Sequence, residues 1–293
     1  MNFKLKTLVA AVALSAVATS ANAALDLNAG NSEFAFSAWD ADAGVGYTYD
    51  LNWNKFLNDM VGIDQAAPTS TTLSVIAAST GNAALLANAK VGASMIGAGG
   101  VIFDDVLTGL PFGANVANVQ WNLTAVDNIG RNRMLTTQGD TYAPFASTSN
   151  QAKSAATAFS LYTSDSNSFL VTPDDDTYAL TVDTNGAAYA GVAGSAWSNN
   201  TSDTTNVLGG QSFMYLLAQS TLASSNAAAL QQQLFSFDGN AIVAKTYLQD
   251  GAWRLNISAV QVAAVPEPQS YAMLLAGLGL MGFIARRRRN NSV

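Results

Sequence analysis

Val45-Gly46-Tyr47-Thr48-Tyr49-Asp50-Leu51-Asn52-Trp53 decides the fold class. Val45, Tyr47, Tyr49, Leu51 and Trp53 alternate with Gly46, Thr48, Asp50 and Asn52. A β-strand sends successive side chains to opposite faces, so the stretch predicts a strand with one apolar face and one polar face. Phe34, Phe36 and Ala38 precede it in the same rhythm. Between the two runs, Asp40-Ala41-Asp42-Ala43-Gly44 reads as a turn, and together they predict a β-hairpin.

The same period recurs further along the chain. Val119, Trp121, Leu123 and Ala125 alternate with Gln120, Asn122 and Thr124, and Trp253, Leu255, Ile257 and Ala259 with Arg254, Asn256 and Ser258. Tyr178, Leu180 and Val182 lead into Asp183-Thr184-Asn185-Gly186, with Tyr189 beyond; Asn-Gly tolerates positive φ at both positions, so a second hairpin is expected there. Phe235 and Phe237 pass through Asp238-Gly239-Asn240 to Ile242 and Val243, a third hairpin, and Asp250-Gly251 turns the chain into the Trp253 run. One helix is expected behind Ser224 or Ser225, because Ala223, Ala227, Leu230 and Leu234 fall at helical spacing with Gln231 to Gln233 on the wet side. Shorter helical segments fall at residues 56–61 and 83–89. Residues 90–112, rich in Gly and Ala, give no assignment, and the small, polar residues 147–156 read as a linker or long loop. No fixed repeat is present, which weighs against a β-helix or propeller. The expected architecture is mainly β: an antiparallel β-sandwich-like body with one or two short helices, its core filled by Trp and Tyr.

Composition points the same way. Between Ala24 and Ala264 nineteen acidic residues face seven basic ones, and only Glu33 among those acids is Glu. Asp suits turns and Glu suits helices, so the body is poor helix material. The acidic balance excludes nucleic acid as a partner, which requires a basic footprint. Cysteine and histidine are both absent. No disulfide framework is available, and stability rests on burial and the hydrogen-bond ladder.

The two ends carry addresses. Lys4 and Lys6, then an apolar run over residues 8–17, then Ala21-Asn22-Ala23, form a secretory signal over residues 1–23 with cleavage expected before Ala24. At the other end stand Val265-Pro266-Glu267-Pro268, a mostly apolar segment at residues 271–285, and Arg286-Arg287-Arg288-Arg289. The prolines keep the motif extended and open to an enzyme. Fifteen helical residues would reach about 22 Å, short of a hydrocarbon core of about 30 Å, and flanking arginines can snorkel to close the gap. The arginines favour the cytoplasmic side as a membrane stop. The expected division is residues 1–23, an exported β-rich body at 24–264, and a tail at 265–293 ending in a single hydrophobic helix.

This tail closely resembles the PEP-CTERM sorting signal, a segment that also carries the name ice-binding protein C-terminal domain. The resemblance covers about 25 of the 293 residues. It implies a Gram-negative bacterium and processing by an exosortase, a membrane cysteine enzyme, near Pro266, Glu267 and Pro268. It further implies a link to exopolysaccharide, biofilm and cell-surface assembly, and leaves the fold of the body undetermined. Signal peptidase and the secretion translocon are the other partners this reading requires.

The body offers little chemistry. Lacking His and Cys, it has no Ser-His-Asp triad, no thiol nucleophile and no imidazole or thiolate metal site. No cofactor is implied. Asp174-Asp175-Asp176 offers oxygen ligands of the kind calcium takes, with Asp183 to Gly186 close behind, but neither matches an EF-hand loop, and a solvated loop is the plainer reading. Asp104-Asp105 is a weaker candidate. Asn122, Asn199, Asn200 and Asn256 begin glycosylation sequons of the kind chance produces in an Asn-, Ser- and Thr-rich chain. Trp39, Trp197 and Trp253 are candidates to stack on sugar rings, with burial in the core as the plainer alternative. The leading expectation is a non-enzymatic exported surface or matrix protein. The alternatives are a carbohydrate-binding module, an ice-binding surface (for which Thr69, Thr71 and Thr72 form no flat array), and a carboxylate-dependent hydrolase with two Asp side chains about 5–10 Å apart.

Overall fold

The computed structural model describes residues 25, 33–51, 90–91, 96–113, 116–127, 132–139, 147–171, 177–194, 201–202, 205–219, 229–236 and 239–260. The chain separates into two units, Met1–Val260 and Gln261–Val293, and every described residue lies in the first. The expected signal, with Ala21, Ala23 and Ala24, lies outside the described residues. So do the segments at 56–61 and 83–89 and the hydrophobic segment at 271–285.

Among the described residues twelve strands join in one sheet. They are β1 (Ala35–Asp40), β2 (Val45–Asp50), β3 (Lys90–Val91), β4 (Val101–Val106), β5 (Val119–Asp127), β6 (Arg133–Gln138), β7 (Tyr178–Val182), β8 (Gln211–Ala218), β9 (Leu230–Gln233), β10 (Phe235–Ser236), β11 (Ala241–Gln249) and β12 (Ala252–Val260). Among the described residues one α-helix, α1 (Ser149–Ser166), accompanies them with short 3-10 turns. The main path runs β7-β2-β1-β5-β6-β8-β11-β12-β4, antiparallel throughout. At β8 the sheet forks: Gln211 to Phe213 pair with β11, and Tyr215 to Ala218 pair with β9. The two-residue pairing of β3 with β10 is parallel.

The mainly β, antiparallel expectation holds. The sandwich of two sheets is replaced by a single sheet that curls over its own apolar face. Apolar residues of β1, β2, β5, β6, β7, β8, β11 and β12 meet in one core. Phe36 stacks on Trp121 with ring centroids 5.6 Å apart, and Tyr47 stacks on Tyr178 at 5.7 Å. Across the curl, Tyr47 Oη donates to the Thr108 carbonyl at 2.8 Å. Trp39, Trp121, Tyr47 and Tyr49 are fully buried, as expected of tryptophan and tyrosine on apolar strand faces.

Two hairpins form as the sequence implies. In β1–β2, Asp40 pairs with Val45, Gly44 takes φ 60°, and Asp40 Oδ1 accepts from the Ala43 N–H at 2.9 Å. In β11–β12, Gln249 pairs with Ala252, and Asp250 and Gly251 have φ 52° and 81°. Positive φ at both central residues twists a two-residue turn to match its strands, which is why Asp-Gly serves there. The Phe235 hairpin also forms, with Phe235 opposite Ala241.

Three expectations are corrected. No hairpin follows β7. Asn185 Oδ1 instead accepts from the Val182 N–H at 2.7 Å, and the chain continues into 3-10 turns at Asp183–Ala188 and Ala190–Gly194. This local bond competes with strand continuation, as Asn side chains commonly do. Residues 230–233 are strand β9 rather than helix, paired along β8, and Gln233 is buried rather than on a wet side. The supposed linker at 147–156 is the start of α1. Thr148 caps it through Gln151, each side chain bonding the other's backbone N–H. The helix lays Ala152, Ala155, Ala156, Phe159 and Tyr162 against the sheet.

Candidate functional site

The curl gives the sheet two unlike outer faces. Over β1, β2 and β5 the outer side chains are buried. Ser37, Thr48 and Asn122 are all at 1 % exposure or less. The Tyr162 hydroxyl shares hydrogen bonds with those of Ser37 and Thr48, the Ser37 contact at 2.9 Å. Burial pushes the Tyr162 hydroxyl up to about 12 against the pull of these bonds. Asn122 has neither polar side-chain atom partnered. Its burial also removes it as a glycosylation acceptor.

Over β4, β12 and β11 the outer face is open. Register places Lys245 opposite Asn256, Tyr247 opposite Arg254, and Asn256 opposite Asp104. Asp104 is the hub. Its carboxylate accepts from Tyr247 Oη at 2.7 Å, Arg254 Nε at 2.7 Å and Asn256 Nδ2 at 2.9 Å, and Arg254 Nη2 completes a salt bridge. Burial alone would raise this carboxyl. The donors from Tyr247, Asn256 and Arg254, with the guanidinium charge, hold it below the usual carboxylate range. The next residue, Asp105, turns inward and accepts from Tyr49 Oη at 3.3 Å. The adjacent acids that the sequence offered as a weaker calcium candidate therefore serve opposite faces of one strand.

Beside this face lies a groove of about 710 Å³. It is lined by the loop at residues 205–211 together with Gly139 and Lys245. The loop is tied to two strands. On one side, the Trp121 N–H donates to the Asn206 carbonyl at 2.9 Å and the Leu208 N–H to the Val119 carbonyl at 2.8 Å. On the other, the Gly209 N–H donates to Thr246 Oγ1 at 2.8 Å, and the Thr246 N–H to the Gly210 carbonyl at 3.0 Å. Trp121 Nε1 adds a bond to the Val207 carbonyl at 3.0 Å. A groove so braced is formed before any ligand arrives. Lys245 belongs to both features, being directly opposite Gln211 on β8.

The residues singled out from sequence fare unequally. Val265, Pro266, Glu267, Pro268 and Arg286 to Arg289 lie outside the described residues, as do Asp174, Asp175, Asp176, Trp197 and the Thr69 to Thr72 stretch. Among the described residues no group of three acidic side chains is placed to hold a metal ion. Trp39 is core at 2 % exposure, so it offers no sugar platform. Trp253 is half-buried, with Nε1 donating to the Gly113 carbonyl at 3.4 Å and its ring 3.6 Å from where a side chain at Gly209 would begin. Sequence reasoning missed Tyr247, the aromatic that faces outward, and Lys245. Both sit in the Ile242 run at alternate positions, so the period-two signal that found β11 also marked its outward residues.

Residues 264–289 match the family described as the PEP-CTERM protein-sorting motif. No curated protein and no solved structure matches the chain. The motif is that of proteins exported and sorted by an exosortase in association with the membrane, toward the cell surface. It covers the tail, and the body remains without an assigned family.

Proposed function

We propose that this is a non-enzymatic protein of the cell surface or extracellular matrix of a Gram-negative bacterium, engaged with exopolysaccharide. Residues 1–23 direct secretion and signal peptidase cuts before Ala24. The tail then holds the chain in the membrane while an exosortase-like enzyme recognises Pro266, Glu267 and Pro268, and Arg286 to Arg289 act as the stop. The observation that carries this reading is the sorting-motif match at residues 264–289. Mass spectrometry of the protein from cells with and without the sorting enzyme tests it. A C-terminus near Pro268 only where the enzyme is present supports processing. An intact tail through Val293 in both strains refutes it.

The open face favours polysaccharide as the partner of the body. The outer sheet surface carrying Tyr247, Asn256 and Lys245 presents one ring and several hydrogen-bonding groups to a chain of hydroxyls. The absence of His and Cys supports binding rather than catalysis. Retention on purified matrix polysaccharide is the corresponding measurement.

A further inference from the structure

We propose that docking of Leu25 against the end of α1 closes the leader-cleavage site, so that residues 1–23 must be removed before the body completes its fold. This rests on the reading above that signal peptidase cuts before Ala24, and adds the order of events to it.

Leu25 is the second residue beyond that bond. It is 3 % exposed and belongs to the apolar cluster that holds Phe159 and Tyr162 of α1. It lies in no strand, yet both of its main-chain groups are paired. Its N–H donates to Asn167 Oδ1 at 2.9 Å, and Asn167 Nδ2 donates to its carbonyl at 3.3 Å. A carboxamide carries the same donor and acceptor as a peptide unit, so Asn167 stands in for a neighbouring strand. Asn167 is fixed in turn at the C-cap of α1, where its own N–H donates to the Thr163 and Asp165 carbonyls. Leu25 is therefore held, side chain and backbone, by an element 142 residues away in sequence that exists only once α1 has formed.

A peptidase takes its substrate extended, with main-chain bonds to residues on both sides of the bond it cuts. Two residues span at most about 7 Å, so a docked Leu25 tethers the Ala23–Ala24 bond to the body. While Asn167 holds the N–H and carbonyl of Leu25, neither group can serve a peptidase cleft. Cutting of the folded precursor therefore waits for local undocking, and its rate follows the undocked fraction. Undocking exposes a buried leucine and frees both hydrogen bonds, so that fraction is about a tenth or less. In the opposite order no conflict arises. Before α1 forms there is no clasp and the bond is free to be cut; Leu25 then docks with the new N-terminus one residue away.

Purified full-chain precursor, folded in detergent, treated with bacterial signal peptidase and followed by N-terminal mass, tests this. The comparison is with a precursor carrying an insertion of about six Gly and Ser residues between Ala24 and Leu25, which moves the bond away from the body and leaves the dock in place. The folded wild type is expected to be cut at least about tenfold more slowly than the folded insertion variant, at matching melting temperatures. Asn167→Ala, which opens the clasp, speeds cutting of the folded chain about fivefold or more. Wild type diluted from urea straight into the reaction is cut between Ala23 and Ala24, which checks the leader reading by itself. Equal rates for folded wild type and insertion variant, or an Asn167→Ala chain cut no faster than wild type, overturn the proposal and leave the leader reading standing. No cut at that bond even after dilution from urea overturns both.

Discussion

The two halves of the sheet are built from similar-looking sequence and end in different environments. In β5, Trp121 and Leu123 alternate with Asn122 and Thr124; in β12, Leu255 and Ile257 alternate with Arg254, Asn256 and Ser258. The inward residues of both strands are at 0 % exposure. The polar partners differ. Asn122 and Thr124 are also at 0 %, whereas Arg254, Asn256 and Ser258 are only partly covered. One half is closed on both faces and the other follows the ordinary hydrophobic-in, polar-out arrangement of a one-sided antiparallel sheet. The outer face is buried where α1 lies, and its polar groups are accessible where it does not. The polar side chains open to solvent therefore lie on the β4-β12-β11 half and the adjoining loop.

The contrast is broken most severely at Phe159. This residue sits on the covered outer face at 0 % exposure, 6.0 Å from the Tyr162 ring. Phe159→Ala is expected to cost about 3–5 kcal/mol in chemical denaturation, the transfer of a buried ring plus the cavity it leaves. A loss below about 1 kcal/mol would mean that the helix does not seal this half.

Tyr162 probes the same face through its polar group. Tyr162→Phe leaves the hydroxyls of Ser37 and Thr48 short of a buried partner, and a loss of about 1–2 kcal/mol is expected near pH 7. The alkaline limb sharpens the point. Burial raises the Tyr162 hydroxyl to about 12, while in the unfolded chain it returns to about 10. Between these values the unfolded chain has lost a proton that the folded protein keeps, so stability is whole below about pH 10 and drains as pH rises toward 12. Tyr189, also raised to about 12 by burial and by Asp183 and Asp40, adds to the slope. Stability measured from pH 9 to 12 should fall less steeply in Tyr162→Phe than in the wild type. Parallel curves would show that the hydroxyl ionises as freely folded as unfolded.

Much of the sheet could be read in the chain, and the omissions have physical causes. The β1–β2 and β11–β12 hairpins announce themselves because large side chains alternate and Gly-containing turns separate them. Helix α1 does not, because its buried stripe is largely Ala152, Ala155 and Ala156, whose small side chains give little contrast with the surrounding Ser and Thr; the Thr148–Gln151 capping pair was its legible mark. Leu230 and Leu234 misled in the opposite direction. A spacing of four satisfies a helical period and is also even, so it fits one face of a strand. The second sheet of a sandwich could not be told from a curled single sheet, since both need the same apolar faces and differ only in whether β8 pairs onward with β11. The groove was illegible for a similar reason. Its polar atoms come from the loop at 205–211 and from Lys245, which pairing with Gln211 alone brings together. Asp104 was visible as an acid but not as a hub, because its donors come from β11 and β12.

That hub supplies the smallest and most diagnostic effect. Asp104→Asn should cost at most about 1 kcal/mol at pH 7, because the pair with Arg254 faces solvent, where screening and side-chain entropy offset most of the attraction. The donors around Asp104 hold its carboxyl below the usual range, so the unfolded chain takes up this proton first as pH falls. The contribution is therefore present above about pH 4 and disappears as pH drops through the lowered folded value. Wild type and Asp104→Asn should differ slightly at pH 7, less in high salt, and converge at low pH. A deficit that persisted at pH 2, or one as large as that of Phe159→Ala, would place Asp104 in a sealed interior and erase the distinction between the open half of the sheet and the covered one.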